Sequence, residues 1–136
     1  MVELILMPCD PLCIHEIRQN NFNAIRTSHY PNATSFYRLC DFHGMYVCGE
    51  ANLETHGMMP MGKLADDFGW AKAFIERATR MVERDRNHCS IILWSLGNEC
   101  GRGRNLSLAR KEVRNLDRSR PIMYEGGGEF DLHVKH

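Results

Sequence analysis

Four short runs that read as strands, each divided from the next by an amphipathic stretch of helical period, constrain the fold of this chain more than any other feature. The runs lie at residues 22–28, 45–48, 91–96 and 121–124. From Gly69 to Asn87 the spacing is marked by Trp70, Ala73, Phe74, Arg77, Met81 and Arg84, and the apolar members recur about every 3.6 positions. Residues 12–20, Ser35 to Phe42 and Leu106 to Leu116 read as further helices. Asp10-Pro11 opens the first of these, and Gly44 closes the second as a C-cap. Strands that alternate with helices pair in parallel through βαβ units, which predicts an α/β fold. An open doubly wound sheet and a (β/α)8 barrel both begin this way. A complete barrel takes about 250 residues, so these 136 supply roughly half of one.

Charge narrows the function classes. Seventeen basic and seventeen acidic residues cancel, so no global field favours nucleic acid or an anionic membrane. No apolar run approaches the roughly 18 residues needed to span a bilayer. The opening MVELILMPCD carries Glu3 and lacks a basic leader region, so the expected compartment is the cytoplasm. The six cysteines, Cys9, Cys13, Cys40, Cys48, Cys89 and Cys100, form no CxxC pair and are expected as free thiols. Cys9 and Cys13 are spaced to share a helix face, and no role is assigned to them.

In both candidate architectures, function sits beyond the carboxyl ends of the strands. Polar groups collect there. Arg26 and His29 follow the first strand, in RTSHYPN; Glu50, Asn52, Glu54 and His56 follow the second, in GEANLETHG. Asn98 and Glu99 follow the third, in WSLGNE, and Glu125 follows the fourth, in YEGGG. Four successive strands ending in ionisable or amide groups predict a catalytic rim.

Glu54 and His56 are two residues apart, so in extended chain both face one side. With Glu99 they offer two carboxylates and an imidazole. That set suits Mg²⁺ or Mn²⁺, with the imidazole leaning towards Mn²⁺ or Zn²⁺; the alternative is a hydrogen-bonded Glu–His pair without metal. A carboxylic acid beside an amide suits glycosidic cleavage, with Glu99 protonating the leaving oxygen and Asn98 gripping a sugar hydroxyl. A retaining mechanism needs a second carboxylate about 5–5.5 Å from the first. Glu125 is the one candidate on a following strand, and nothing local marks it as a nucleophile.

The stretches QNNFNAIRTSHYPN, ANLETHGMMPMGKLADD, RMVERDRNHCSIILWSLGNE and DRSRPIMYEGGG resemble the central barrel domain of bacterial β-galactosidases of glycoside hydrolase family 2. The resemblance runs from about Ile14 to Gly128 without an obvious gap, and it implies a partial (β/α)8 barrel covering roughly strands two to five. It implies that Glu99 is the general acid/base and that Asn98 contacts the sugar. By the same resemblance Glu54, His56 and Glu99 bind Mg²⁺, with Mn²⁺ as an alternative, His29 binds the transition state and Arg26 lies in the active site.

There are departures. The family's His-rich GVNRHEHHP opening is replaced by MVELILMPCDPL. Gly49 stands where an Asp usually precedes the Glu of DEAN, and Cys89 replaces the Pro of RNHPS. The family's nucleophilic Glu lies in a CEYxHAMGN-like segment that has no match here, and EFDLHVKH no longer resembles the family. Residues 1–136 are therefore expected to form part of one catalytic barrel domain whose full enzyme hydrolyses terminal β-D-galactosides such as lactose. The alternatives are a non-catalytic chain that folds only by self-association or by pairing with the other barrel half, and a related β-glucuronidase or β-mannosidase.

Overall fold

A computed structural model describes residues 11–126. The opening MVELILMPCD, with Cys9, and the EFDLHVKH tail fall outside the described residues. Helix α1 (Pro11–Gln19) leads into strand β1 (Ala24–Arg26), helix α2 (Thr34–His43) and strand β2 (Tyr46–Glu50). A short helix α3 (Lys63–Asp66) and a 3-10 turn at Phe68–Trp70 precede helix α4 (Ala71–Asp85). Strand β3 (Ile91–Ser95), helix α5 (Arg104–Leu116) and strand β4 (Ile122–Met123) follow.

The four strands are all parallel and lie in chain order, β1-β2-β3-β4. No strand order reverses, and the strands' helix-facing residues join the helices in one core. Ile25, Val47, Ile91, Trp94 and Ile122 pack with Ile14, Phe36, Phe74, Met81, Leu106 and Val113. That is the wall of a barrel, with helices on one side only. The other face of the sheet carries a smaller cluster of Cys48, Leu93 and Met123. Between β2 and β3 the register skips a residue, pairing Val47 with Ile91 and Cys48 with Leu93. Ile92 is the extra residue of this bulge and is exposed.

Local sequence accounts for the elements. Gly44 adopts φ 66° and its N–H caps the Cys40 carbonyl, ending α2 where expected. Helix α4 buries Ala71, Phe74, Ala78, Met81 and Val82 on one face. On its other side Lys72 and Arg80 flank Glu76 at i,i+4 spacing. The helix starts at Ala71 rather than Gly69, because the side chain of Asp67 accepts the Gly69 N–H at 2.9 Å and closes a separate 3-10 turn. Trp70 is thereby outside the helix and partly exposed, not part of its buried face. Among the described residues no helix is long and apolar enough to cross a membrane.

Candidate active site

The carboxyl ends of the strands bring the polar residues to one rim. Glu50, the last residue of β2, has no solvent exposure and gathers its neighbours. Arg26 Nε donates to Glu50 Oε2 at 2.5 Å and Ser95 Oγ donates to the same oxygen at 2.7 Å. His29 Nδ1 lies 2.7 Å from Glu50 Oε1. The backbone N–H of Glu50 donates to Thr27 Oγ1 at 2.9 Å. Arg26 also reaches across to β3, where Nη2 donates to Asn98 Oδ1 at 3.1 Å. The amide's other end, Nδ2, donates to Glu54 Oε1 at 3.1 Å. One chain of bonds thus joins the loops after three strands.

Gly97 makes this junction possible. It sits at φ 135°, and a Cβ there would stand 2.4 Å from the Leu53 carbonyl oxygen. Without that Cβ the two loops meet, and Asn98 N donates to the same Leu53 oxygen at 2.8 Å. Glu54 and Asn98 form an isolated parallel bridge, so the sheet continues for one residue pair past its strands. Glu99 then turns outward at φ 44°, a left-handed conformation that non-glycine residues adopt rarely and that clusters at functional sites. Glu125 Oε1 accepts the Glu99 N–H at 2.6 Å and holds that turn. Beside it, the buried Tyr124 hydroxyl accepts from Cys100 N at 2.9 Å and donates to Gly101 O at 2.8 Å. Burial, reinforced by the neighbouring Cys100 and Glu125, pushes the Tyr124 phenol well above its ordinary range.

Glu54, His56 and Glu99 converge as the sequence predicts, although they are reached through turns rather than along an extended strand. His56 Nδ1 lies 3.5 Å from Glu54 Oε1 and 3.5 Å from Glu99 Oε2. One potential ligand atom from each lies within 4.8 Å of the others. Adjacent ligands of an octahedral Mg²⁺, at about 2.1 Å from the ion, stand about 3 Å apart. All three side chains are partly exposed, so small rotamer changes reach that spacing. Two carboxylates and one imidazole on an open rim fit a hard divalent ion that keeps several waters.

Of the described cysteines, Cys100 borders the site, its Sγ donating to the Asn98 carbonyl at 3.3 Å. Cys13, Cys40, Cys48, Cys89 and Cys100 form no disulfide among the described residues. Burial pushes the Cys48 thiol to about 12 and the Cys100 thiol to about 11, so neither supplies a thiolate at neutral pH. A cleft of about 610 Å³, lined by Tyr30, Arg77, Arg80 and Arg84, lies along the flank of α4 and contains none of Glu54, His56, Asn98 and Glu99.

Arg26, His29, Asn98, Glu54, His56 and Glu99 all stand at the rim, in two linked groups: the Glu50 network and the Glu54–His56–Glu99 cluster. The hub position of Glu50 and the grip of Glu125 on the Glu99 backbone are not evident from sequence. The only available signal is their position at strand ends, which many solvated glutamates share.

Residues 10–135 match the family of glycosyl hydrolases family 2, TIM barrel domain. A β-galactosidase of Pseudoalteromonas haloplanktis is 62% identical over 112 residues, which cover 82% of this chain and 11% of that protein. Among solved structures, a β-glucuronidase of Faecalibacterium prausnitzii superposes with a TM-score of 0.68 at 30% identity, over 85% of this chain and 22% of that one. A β-D-glucuronidase of Dictyoglomus thermophilum shares the fold with a TM-score of 0.74 at 23% identity, over 89% of this chain and 23% of that one.

Proposed function

The chain belongs to the family 2 glycosyl hydrolases, within their TIM barrel domain, and on that premise we propose that it carries the acid/base half of a retaining β-galactosidase site. The observation that carries the proposal is the Asn98-Glu99 pair. The amide is clamped between Arg26 and Glu54, and the carboxyl beside it is half exposed at the lip of β3.

In this reading Glu99 protonates the glycosidic oxygen as the bond to the anomeric carbon breaks. A second carboxylate attacks that carbon to form a covalent glycosyl-enzyme. Glu99 then takes a proton from water, which displaces the carboxylate and releases the sugar. By the family resemblance the attacking carboxylate lies in a CEYxHAMGN-like segment with no match here, and Glu125, whose Oε1 accepts the Glu99 N–H, is read as a support of that turn rather than as the nucleophile. Asn98 still has one N–H and one lone pair beyond its bonds to Glu54 and Arg26, enough to grip a sugar hydroxyl. His29 faces the transition state and Arg26 orders the sugar-binding side. Glu54, His56 and Glu99 would hold Mg²⁺ or Mn²⁺, which when bound supplies a fixed positive charge beside the acid/base carboxyl.

The 136-residue chain by itself is expected to show little or no turnover and to pair with the remaining barrel strands or with itself through the edges of β1 and β4. Turnover of a chromogenic β-galactoside by this chain, abolished by Glu99→Gln, would contradict that expectation. The main test is a graft, in which the chain replaces the matching 112 residues of the Pseudoalteromonas haloplanktis β-galactosidase. An active graft that Glu99→Gln silences supports the reading; a folded, inactive graft sinks it. A β-glucuronidase reading has the 30% identical solved structure in its favour, against 62% identity to a β-galactosidase.

A further inference from the structure

Glu50 ends β2 at the lip of the site, yet it has no exposure and cannot touch a sugar. Burying a carboxylate weakens a fold unless it is fully paired, and an apolar residue of similar size would serve packing better. What Glu50 offers instead is direction. Its two oxygens accept from Arg26 on one side, Ser95 on another and His29 on a third, so groups from β1, β3 and the β1–α2 loop take their orientation from one point.

We propose that Glu50 is the positioning residue of this site, fixing the guanidinium plane of Arg26 and the tautomer of His29. The proposal rests on the glycosidase reading for its function, and on the Glu50 contacts for its geometry. An ionised carboxylate only accepts hydrogen bonds, so the hydrogen between Glu50 and His29 sits on Nδ1. Nε2 is then the ring nitrogen turned away from Glu50. On the other arm, Arg26 spends Nε on Glu50 and Nη2 on Asn98, which locks the fork between a carboxylate and an amide. Asn98 passes the constraint to Glu54. Glu50 therefore acts on the sugar and on the metal-ligand cluster only through other residues.

Two measurements test this. In the active graft, Glu50→Gln keeps the volume and removes the charge; kcat/KM is expected to fall about 100-fold, mostly in kcat, as reacting groups lose alignment. If Glu50 works through His29, that loss shrinks about tenfold when His29 is already Asn. Full additivity of the two substitutions overturns the proposal. The second measurement needs no variant: nitrogen-15 shifts of the His29 ring in the 136-residue chain are expected to show the Nδ1–H tautomer, and the Nε2–H tautomer would overturn it. Failure of the glycosidase reading shows instead as a graft inactive before any substitution at Glu50, and the tautomer then decides the positioning claim alone.

Discussion

Gly97 and Leu53 stand in backbone contact, so close that a side chain on residue 97 would put its Cβ 2.4 Å from the Leu53 carbonyl oxygen and 2.7 Å from the Leu53 Cβ. The approach joins the loops after β2 and β3, and Glu54, Asn98 and Glu99 follow directly from it. Gly97→Ala is expected to destabilise the chain by about 2–4 kcal/mol, from a positive φ and an unrelieved clash together. Urea unfolding measures it; a loss under about 1 kcal/mol would mean that the loops part easily.

Glu125 holds Glu99 by its backbone rather than its side chain. Removing the carboxyl by Glu125→Ala is expected to cost about tenfold in kcat of the graft, since Glu99, the proposed acid/base, loses its turn. Glu125→Gln keeps an acceptor oxygen and should retain most of the rate. Equal losses in the two variants would show that the charge of Glu125 matters, not its grip.

The convergence of Glu54, His56 and Glu99 predicts a divalent ion site. A Mn²⁺ titration followed by the spectrum of the free ion is expected to show one site. His56→Ala should weaken it by more than about tenfold, since a direct ligand matters at least as much as its supporting shell. Unchanged affinity in that variant would leave the three residues as a hydrogen-bonded cluster.

At the opposite end of the sheet, Asp117 ties β3 to β4. Its carboxylate accepts from Trp94 Nε1 at 2.8 Å, from Ser119 N at 2.8 Å and from Arg120 Nη1 at 2.7 Å. Burial by itself would raise its pKa, but the bonds from Ser119, Trp94 and Arg120 outweigh burial and hold it well below the usual carboxylate range. A depressed folded-state pKa contributes stability that is present above the unfolded value, about 3.9, and is lost as pH falls towards the folded one. Asp117→Asn should therefore cost about 2 kcal/mol at pH 7. The gap from the parent chain should narrow in urea titrations at successively lower pH below about 4; a constant gap would contradict the assignment.

Much of the fold is legible in the sequence because its signals are local. Gly44 announces the end of α2, and the spacing of Ala73, Phe74, Arg77, Met81 and Arg84 marks α4, although only Phe74 and Met81 of these are buried in it. Helix α3 gives no such signal. It has four residues and an N-cap at Gly62 without a side-chain bond. Its support comes from a distant residue, the fully buried Asn105 of α5, whose amide donates to Leu64 O at 2.9 Å and Asp67 O at 2.7 Å. The site divides the same way. Position at strand ends marks the rim residues, but it cannot separate the enclosed Glu50 from the half-exposed Glu99, because burial depends on which strands lie alongside.

The central claim is that Glu99 gives a proton to the leaving oxygen and later takes one from water. The direct measurement is the dependence of the graft's rate on leaving-group acidity, with and without Glu99→Gly. A missing acid should slow substrates with poor leaving groups far more than those with acidic phenols, whose departure needs no proton. With the phenolic substrates the covalent intermediate should accumulate, and added azide should restore turnover and yield a β-galactosyl azide, because azide needs no general base. A uniform loss across leaving groups, with no azide rescue, would remove Glu99 from the acid/base role.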